Sequence, residues 1–140
     1  MDYEITKLNL EGKVFVDERG TLIQCLTKNE LKANGSFIDF GTIYGGNIIR
    51  NKIRGNHYHK NKEEYFIILK GKAKVYLEDI NTKERLEGII MSVGDRIRVG
   101  KNIAHAIRGG WYSWLNSIVF FSYATRPFEE NGDTYQYKVL

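Results

Sequence analysis

Three histidines are the residues of this chain whose types and spacing best suit proton transfer or metal binding. His57 and His59 stand one residue apart, and His105 lies far downstream. In an extended strand, side chains at i and i+2 project from the same face, so the first two imidazoles are expected side by side. Together with the carboxylate of Glu64 they form a ligand set for a divalent metal. The same groups can instead exchange protons with a substrate, so the residues leave both chemistries open.

The strand predicted to carry the first two histidines runs over 48–59, after a turn predicted at Gly45-Gly46-Asn47. Alternation along this strand places both imidazoles on the apolar face that also carries Ile53. The same alternation places Arg54 on the opposite face, unless Gly55 forms a bulge that shifts the register. The pattern therefore predicts a site that faces the interior of the fold, where water is largely excluded.

Length and composition predict one domain, residues 1–140, built almost entirely from strands. The chain has 140 residues, 13% of them aromatic, and a single proline. Short runs of β-branched and aromatic residues alternate with turns made of glycine and asparagine. The segment 13–26 contains two such runs joined by a turn and is predicted to be a hairpin of two strands. Many short strands with almost no helix indicate an all-β sandwich or barrel.

Charge and cysteine content limit the partners to be expected. The 21 basic and 17 acidic residues are interspersed and leave a net charge of +4. This mild balance favours attraction of a phosphorylated small molecule over a nucleic-acid surface, so no nucleic-acid partner is expected. Cys25 is alone, which suits a reducing cytosol. With neither a signal peptide nor a long apolar run recognised, we expect a cytoplasmic protein without a membrane partner.

The spacing of the histidines resembles the two sequence motifs of the cupin superfamily. The first motif is HxH, then Glu, then Gly after six residues, and the second is Gly followed eleven positions later by His. The matching residues are His57, His59, Glu64 and Gly71 in the first motif and Gly94 and His105 in the second. The second match is partial, since Gly100, Asn102 and Gly109 replace residues usual in the family. The resemblance implies a double-stranded β-helix, the cupin jelly roll.

Two further elements resemble particular branches of this superfamily. Asp17–Leu22 is similar to the D-x-R-G-x-[FL] element of dTDP-4-dehydrorhamnose 3,5-epimerases and dTDP-sugar 3,4-ketoisomerases, and Arg54-Gly55-x-His57 to their R-G-x-H element. The run RGNHYH followed by Glu64 most resembles the metal-binding cupin domain of CapF-type capsular polysaccharide proteins. We therefore expect a nucleotide-sugar epimerase or ketoisomerase of surface polysaccharide synthesis.

The resemblance also implies roles for individual residues. In the epimerases the histidine of R-G-x-H removes a proton beside the 4-keto group, which assigns the base role to His57. The arginines of the two R-G elements contact the nucleotide phosphates, which assigns substrate binding to Arg19 and Arg54. The ketoisomerase element extends to Lys60, which is assigned to substrate binding as well. The epimerases use a tyrosine of a late strand as the catalytic acid, and Tyr123 is the nearest residue here.

Two departures from these enzymes bear on the cofactor. The epimerases work without metal and have Gln where His59 stands, and the ketoisomerases usually have Gln near the position of Glu64. Retention of Glu64 favours a divalent metal such as Zn, Mn, Fe or Ni, and no organic cofactor is expected. The implied ligands are His57, His59, Glu64 and His105. The neighbouring Glu63 is expected to be a solvated turn residue.

Other interpretations stay open at this point. A homodimer is expected, since in the epimerases the D-x-R-G arginine reaches the site of the neighbouring subunit. One alternative function is a metal-dependent cupin enzyme of another class, an oxygenase or a sugar-phosphate isomerase. Another is a non-catalytic module that binds a sugar nucleotide. An HxH pair alone is also compatible with strand histidines whose hydrogen bonds are satisfied.

Overall fold

Antiparallel strands make up most of the fold. The computed structural model describes residues 1–31, 41–110, 117–126 and 132–140. The strands are β1 (Tyr3–Lys7), β2 (Val14–Asp17), β3 (Gly20–Ile23), β4 (Thr42–Ile49), β5 (Ile53–Tyr58), β6 (Glu64–Lys70), β7 (Ala73–Asp79), β8 (Arg85–Met91), β9 (Asp95–Val99), β10 (Ile103–Gly109), β11 (Ser117–Ala124) and β12 (Tyr135–Gln136). In these ranges the helical structure consists of one 3₁₀ turn, Lys28–Glu30, and no helix is long and apolar enough to cross a membrane.

Two five-stranded sheets enclose the main core. Their strand orders are β1-β9-β6-β11-β4 and β12-β5-β10-β7-β8, and strands β2 and β3 form a separate hairpin. The apolar side chains between the sheets come from both, for example Ile68 and Ile118 from the first sheet and Leu77 and Ile107 from the second. The prediction of an all-β jelly roll is confirmed by this arrangement. The predicted hairpin is confirmed as well, although its second strand ends at Ile23.

The turn predicted at Gly45-Gly46-Asn47 is wrong, because this segment lies within β4. Gly46 pairs with Phe120 of β11, and a Cβ at position 46 would lie 3.1 Å from the Phe120 ring. The glycine therefore makes room for a cross-strand aromatic ring and does not reverse the chain. The reversal comes later, between β4 and β5, where Asn51 has a φ of +62°. The predicted single strand over 48–59 is accordingly interrupted.

A β-bulge at Asn56 changes which side chains of β5 face the interior. His57 pairs with His105 and Gly55 with Ala106, so Asn56 is the extra residue. Gly55 has a φ of +102°, and a Cβ there would lie 2.5 Å from the carbonyl oxygen of His105.

The bulge places the arginine of β5 on the histidine side. Arg54 pairs with Ile107, which lies in the core on the same face of β10 as His105. The prediction that Arg54 faces away from the histidines is therefore wrong, and the register shift considered for Gly55 is the reason. Ile53 lines the cavity, but it is not a buried core residue, because 42% of its surface is exposed.

Candidate metal centre and active site

The structure brings four predicted ligands together between the two sheets. One potential ligand atom from each of His57, His59, Glu64 and His105 lies within 4.8 Å of every other. Strand β5 and the residue that follows it supply the first two, the start of β6 supplies the carboxylate, and β10 supplies the last. His59, Glu64 and His105 are buried, whereas His57 is partly exposed.

The Glu64 carboxylate lies between two imidazoles. Its Oε1 atom is 3.1 Å from Nε2 of His59, and its Oε2 atom is 3.1 Å from Nε2 of His105. Although these distances are short, both Nε2 atoms and Glu64 Oε2 are buried without a hydrogen bond of good geometry in the described part of the chain. Buried polar atoms without partners are costly, so such a cluster indicates a place where something else binds.

The hydrogen bonds of the two Nδ1 atoms determine the protonation state of the Nε2 atoms that face the carboxylate. Nδ1 of His59 lies 2.5 Å from the backbone oxygen of Asp133, and Nδ1 of His105 lies 3.2 Å from that of Ile103. Because a carbonyl oxygen only accepts, each Nδ1 carries the proton, and in a neutral ring Nε2 presents a lone pair to Glu64. Facing lone pairs require a cation between them, either a proton or a metal ion.

The donor set fits a divalent metal. Two imidazole nitrogens and a carboxylate oxygen suit zinc and related transition metals, and the Nδ1–H bonds to carbonyls are the usual outer support of such ligands. Burial opposes ionisation of Glu64, but the close approach of the His105 and His59 imidazoles outweighs it and holds the pKa of Glu64 well below the usual range. The site therefore presents an ionised carboxylate.

His57 differs from the other two imidazoles. Burial, and then the nearby His105, lower the pKa of His57 to about 4, so the ring is neutral near pH 7. Its ring centroid lies 4.8 Å from those of both other histidines. A neutral, partly exposed imidazole beside the cluster can accept a proton from a bound molecule or contribute a further ligand.

A cavity of about 620 Å³ opens onto the cluster. This volume is within the range of small-molecule sites. Polar side chains that line it besides the buried ligands are Tyr44, Arg54, His57, Lys62, Ser122 and Thr134. Aromatic and aliphatic groups such as Phe66 and Phe120 complete the walls.

Of the three residues predicted to bind substrate, one lines the cavity and two do not. Arg54 lines the cavity, and its Nε donates to the carbonyl of Asn47 at 3.3 Å. Arg19 does not line it, because it lies exposed on the β2–β3 hairpin in an ion pair with Asp17 at 2.6 Å. Lys60 is exposed outside the cavity, with its ammonium 4.3 Å from the ring centroid of Tyr135.

Tyr123, predicted as the catalytic acid, is not brought to this site. It packs with Leu8, Tyr65 and Ile67 on the far face of the first sheet, and its hydroxyl accepts the N–H of Gly41 at 3.1 Å. Side chains alternate along β11, so the preceding residue is the one that faces the cavity. This geometry gives Tyr123 no access to a bound substrate.

The sequence reasoning missed three residues that the structure places near the cluster. Tyr44 pairs with Ser122 of β11 and lines the cavity, and burial together with the Glu64 charge raises its pKa. Lys62 lines the cavity as well, and Asp133 supports His59. Strand alternation alone identifies such residues only when the register is known.

The expectation of a solvated Glu63 is wrong. This residue is buried, and its carboxylate lies 3.3 Å from the guanidinium of Arg98. Its side chain points away from that of Glu64, as adjacent residues at a strand start do. The spacing to Gly71 thus identified the member of the acidic pair that faces the histidines.

Comparison with known proteins identifies a family and a fold. The family model described as the polysaccharide biosynthesis C-terminal domain matches residues 15–135. No curated protein matches the sequence.

Several solved structures are similar over almost the whole chain. A dTDP sugar isomerase from Desulfovibrio desulfuricans G20 has a TM-score of 0.77 at 14% identity, covering 98% of this chain and 84% of that protein. A 3,4-ketoisomerase from Helicobacter canadensis has a TM-score of 0.72 at 22% identity, covering 97% and 91%. An epimerase from Legionella pneumophila, solved with dTDP-4-keto-L-rhamnose, has a TM-score of 0.73 at 16% identity, covering 96% and 71%. The predicted cupin jelly roll of the epimerase and ketoisomerase type is confirmed as the fold.

Proposed function

This chain belongs to the polysaccharide biosynthesis C-terminal domain family, and we propose that it is an isomerase of nucleotide-linked 4-keto-6-deoxyhexoses. It moves a proton beside the keto group and so produces an epimer or a sugar whose keto group has shifted. The observation that carries the proposal is the neutral imidazole of His57 in a cavity that also presents Arg54. Activities of the structural relatives point in the same direction.

In the proposed reaction His57 is the base. It takes the proton from the carbon next to the carbonyl, the C–H electron pair forms a C=C bond, and the carbonyl oxygen becomes an enolate oxygen. Return of a proton to the opposite face of the same carbon gives the epimer. Return to the former carbonyl carbon gives the ketoisomer, in which the hydroxyl of the deprotonated carbon becomes the new keto group.

Two cavity residues support the other requirements of this chemistry. The guanidinium of Arg54 suits the diphosphate, because it stays charged and its planar fork binds two oxygens. The hydroxyl of Tyr44 is our candidate for the proton donor in place of Tyr123. Its raised pKa keeps it protonated near neutral pH, and it lines the same cavity as His57.

A divalent metal held by His59, Glu64 and His105 is part of the proposal, with zinc, manganese, iron and nickel as candidates. The support is the set of buried atoms without hydrogen-bond partners. When bound, such an ion supplies a Lewis acid close to the reacting sugar. His57 is the partly exposed member of the cluster and lines the cavity, which favours its role as the base over that of a fourth ligand.

Solvent deuterium exchange tests the proposal. The protein is incubated in deuterium oxide with dTDP- and UDP-linked 4-keto-6-deoxyhexoses, and proton NMR follows C3 and C5, and also C4, where the ketoisomer gains its proton. We expect deuterium at one of these carbons with at least one sugar and no exchange with the His57→Ala variant. Absence of exchange with every sugar, or full exchange by the variant, would contradict the proposal.

A second copy of the chain is also proposed, because the β2–β3 hairpin exposes apolar side chains. Val16 and Leu22 have 74% and 70% of their surface exposed, and Phe15 is exposed beside them. Burial of this surface in a homodimer would stabilise the pair and would allow Arg19 to contact the phosphates in the partner's cavity. Light scattering at micromolar concentration should give twice the chain mass, and a monomer contradicts the proposal.

The metal cluster also supports a second candidate function, a metal-dependent cupin enzyme such as an oxygenase. Elemental analysis of protein purified without added metal separates the two. Iron near one equivalent per chain together with oxygen consumption favours the oxygenase. Deuterium exchange without oxygen consumption favours the isomerase.

A further inference from the structure

Asn56, the extra residue of the β5 bulge, holds the C-terminal segment with both polar atoms of its side chain. Its Oδ1 atom accepts the backbone N–H groups of Val139 and Leu140 at 2.9 and 3.0 Å. Its Nδ2 atom donates to the carbonyl of Leu140 at 3.2 Å. Its backbone carbonyl accepts the N–H of Tyr137 at 2.8 Å. One residue of β5 is therefore fastened to the segment 137–140 through both its side chain and its backbone.

The backbone at the bulge has a conformation that needs such support. Gly55 and Asn56 have φ angles of +102° and +57°. L-residues with a side chain disfavour positive φ, although asparagine tolerates it better than most. A disfavoured conformation persists only where the surrounding structure holds it. The bonds to 137–140 provide this hold, and Val139 is itself buried in a cluster with Ala106 of β10.

The bulge decides whether Arg54 and His57 share a face of β5. In a regular strand, residues three apart project from opposite faces of the sheet. These two residues are three apart, yet both line the cavity. The extra residue between them shifts the alternation by one position and brings both side chains to the same side. Loss of the bulge would therefore turn one of the two away from the cavity.

We propose that Asn56 is a positioning residue for catalysis. Its hydrogen bonds to 137–140 maintain the bulge, and the bulge places the base His57 and the phosphate-binding Arg54 beside the same bound molecule. This role rests on the proposed isomerase function and deepens it. It explains how one short strand presents two groups of different chemistry to opposite ends of a nucleotide sugar.

The proposed metal ligands depend on other contacts. Nδ1 of His59 bonds to the carbonyl of Asp133, and Nδ1 of His105 bonds to the carbonyl of Ile103. The Asp133 carboxylate also holds the loop that follows His59. Weakening the bonds of Asn56 should therefore disturb Arg54 and His57 while the metal ligands keep their support.

The test compares Asn56→Ala and Asn56→Gly with Tyr137→Phe as a matched control. The Tyr137 hydroxyl donates to Glu78 and accepts from Lys83, so the control loosens the same segment without removing its backbone bond to Asn56. Three quantities are measured for each variant. They are the rate constant of deuterium exchange at saturating dTDP-4-keto-6-deoxyglucose, the calorimetric affinity for dTDP, and the zinc affinity from competition with a chelator.

We expect Asn56→Ala to lower the exchange rate constant by about 10²-fold, as a small misplacement of a reacting group does. The affinity for dTDP should fall by about tenfold, as loss of one hydrogen bond to a charged group does. Zinc affinity should stay within about threefold, because the outer support of the ligands is kept. Asn56→Gly adopts positive φ without strain but lacks the side-chain bonds, so its losses should be smaller and still measurable.

Two results would overturn the role of Asn56 directly. If Asn56→Gly matches wild type in rate and in dTDP affinity, the side-chain bonds are not required. If Asn56→Ala loses zinc affinity as much as rate, the residue supports the whole fold around the cluster and not the bulge in particular. Thermal unfolding of each variant controls for folding, and Asn56→Gly provides the comparison if Asn56→Ala is unstable.

The control and the wild type complete the test. Equal losses of rate in Tyr137→Phe and Asn56→Ala would assign the effect to docking of the segment in general and contradict the inference. Exchange by Tyr137→Phe at the wild-type rate supports it. No exchange by wild type with any keto sugar removes the isomerase proposal itself, whereas the dTDP and zinc affinities still show whether Asn56 positions Arg54.

Discussion

Nδ1 of His59 hydrogen-bonds to the backbone carbonyl of Asp133, 74 residues further along the chain. The Asp133 carboxylate in turn accepts the backbone N–H groups of Lys60 and Asn61, each at 2.7 Å. One residue of the C-terminal segment thus orients the His59 ring and holds the loop that follows it. This contact fixes the proton on Nδ1 and directs Nε2 toward Glu64.

Loss of the Asp133 carboxylate should weaken metal binding. Asp133→Ala frees the loop after His59, so we expect zinc or cobalt affinity to fall by about tenfold or more, as loss of outer support does. Competition with a chelator measures it. Asp79→Ala is a matched control, since Asp79 accepts the N–H groups of Asn81 and Thr82 in a turn outside the cavity. Equal affinity in the two variants would contradict the positioning role.

The two adjacent glutamates should differ in their effect on the metal. Added zinc or manganese is expected to raise the melting temperature of wild type, because binding to the folded state alone stabilises it by about 2.7 kcal/mol at a hundred times the dissociation constant. Glu64→Gln should abolish this shift. Glu63→Gln should keep it while lowering the metal-free melting temperature, since Glu63 pairs with Arg98. A metal-induced shift that survives Glu64→Gln would show that the ion binds elsewhere.

Substitution of Tyr44 in the cavity should affect activity, whereas substitution of Tyr123 in the core should affect stability. Tyr44→Phe removes the proposed proton donor, so overall turnover should fall by about 10²–10⁴-fold. Tyr123→Phe removes the bond to Gly41 and should lower the free energy of unfolding by about 1 kcal/mol with turnover unchanged. Chiral product analysis and denaturant unfolding measure the two effects. The reverse pattern would return Tyr123 to the active site.

Glu30 should make stability depend on acid pH. Burial opposes its ionisation, but hydrogen bonds from Arg96, Lys13 and Thr27 lower its pKa to about 2. Because the unfolded state binds this proton more readily, the stabilisation is complete above about pH 4.5 and is lost as pH falls toward 2. Urea unfolding should therefore give a wild-type advantage over Glu30→Gln that is constant above pH 5 and shrinks below it. A constant difference down to pH 2.5 would contradict this linkage.

The candidate ligand set and the strand-rich fold were predictable because motif spacing and short strand-like runs can be recognised in the sequence without knowledge of the strand register. His57 and His59 share a face at any register, and the distances to Glu64 and His105 along the sequence match a known motif. The predicted turn at Gly45-Gly46-Asn47 and the predicted face of Arg54 were wrong because cross-strand contacts determine both. Gly46 accommodates the Phe120 ring, and the bulge at Asn56 depends on the backbone of β10.

The cavity residues outside the motif were not predictable for the same reason. Whether Tyr44 or Tyr123 faces the cavity depends on the parity of two paired strands, and pairing is set by the whole sheet. The burial of Lys62 depends on the sheets that surround it, since its sequence neighbours suggest an exposed turn.

A crystal structure of the His57→Asn variant with dTDP-4-keto-6-deoxyglucose tests the central claim most directly. The shorter amide prevents proton removal and should trap the sugar. The account predicts C3 or C5 of the sugar within about 3.5 Å of the substituted side chain at position 57, as near-attack geometry requires, with the diphosphate at Arg54. A sugar bound with both carbons far from position 57 would contradict the base role of His57.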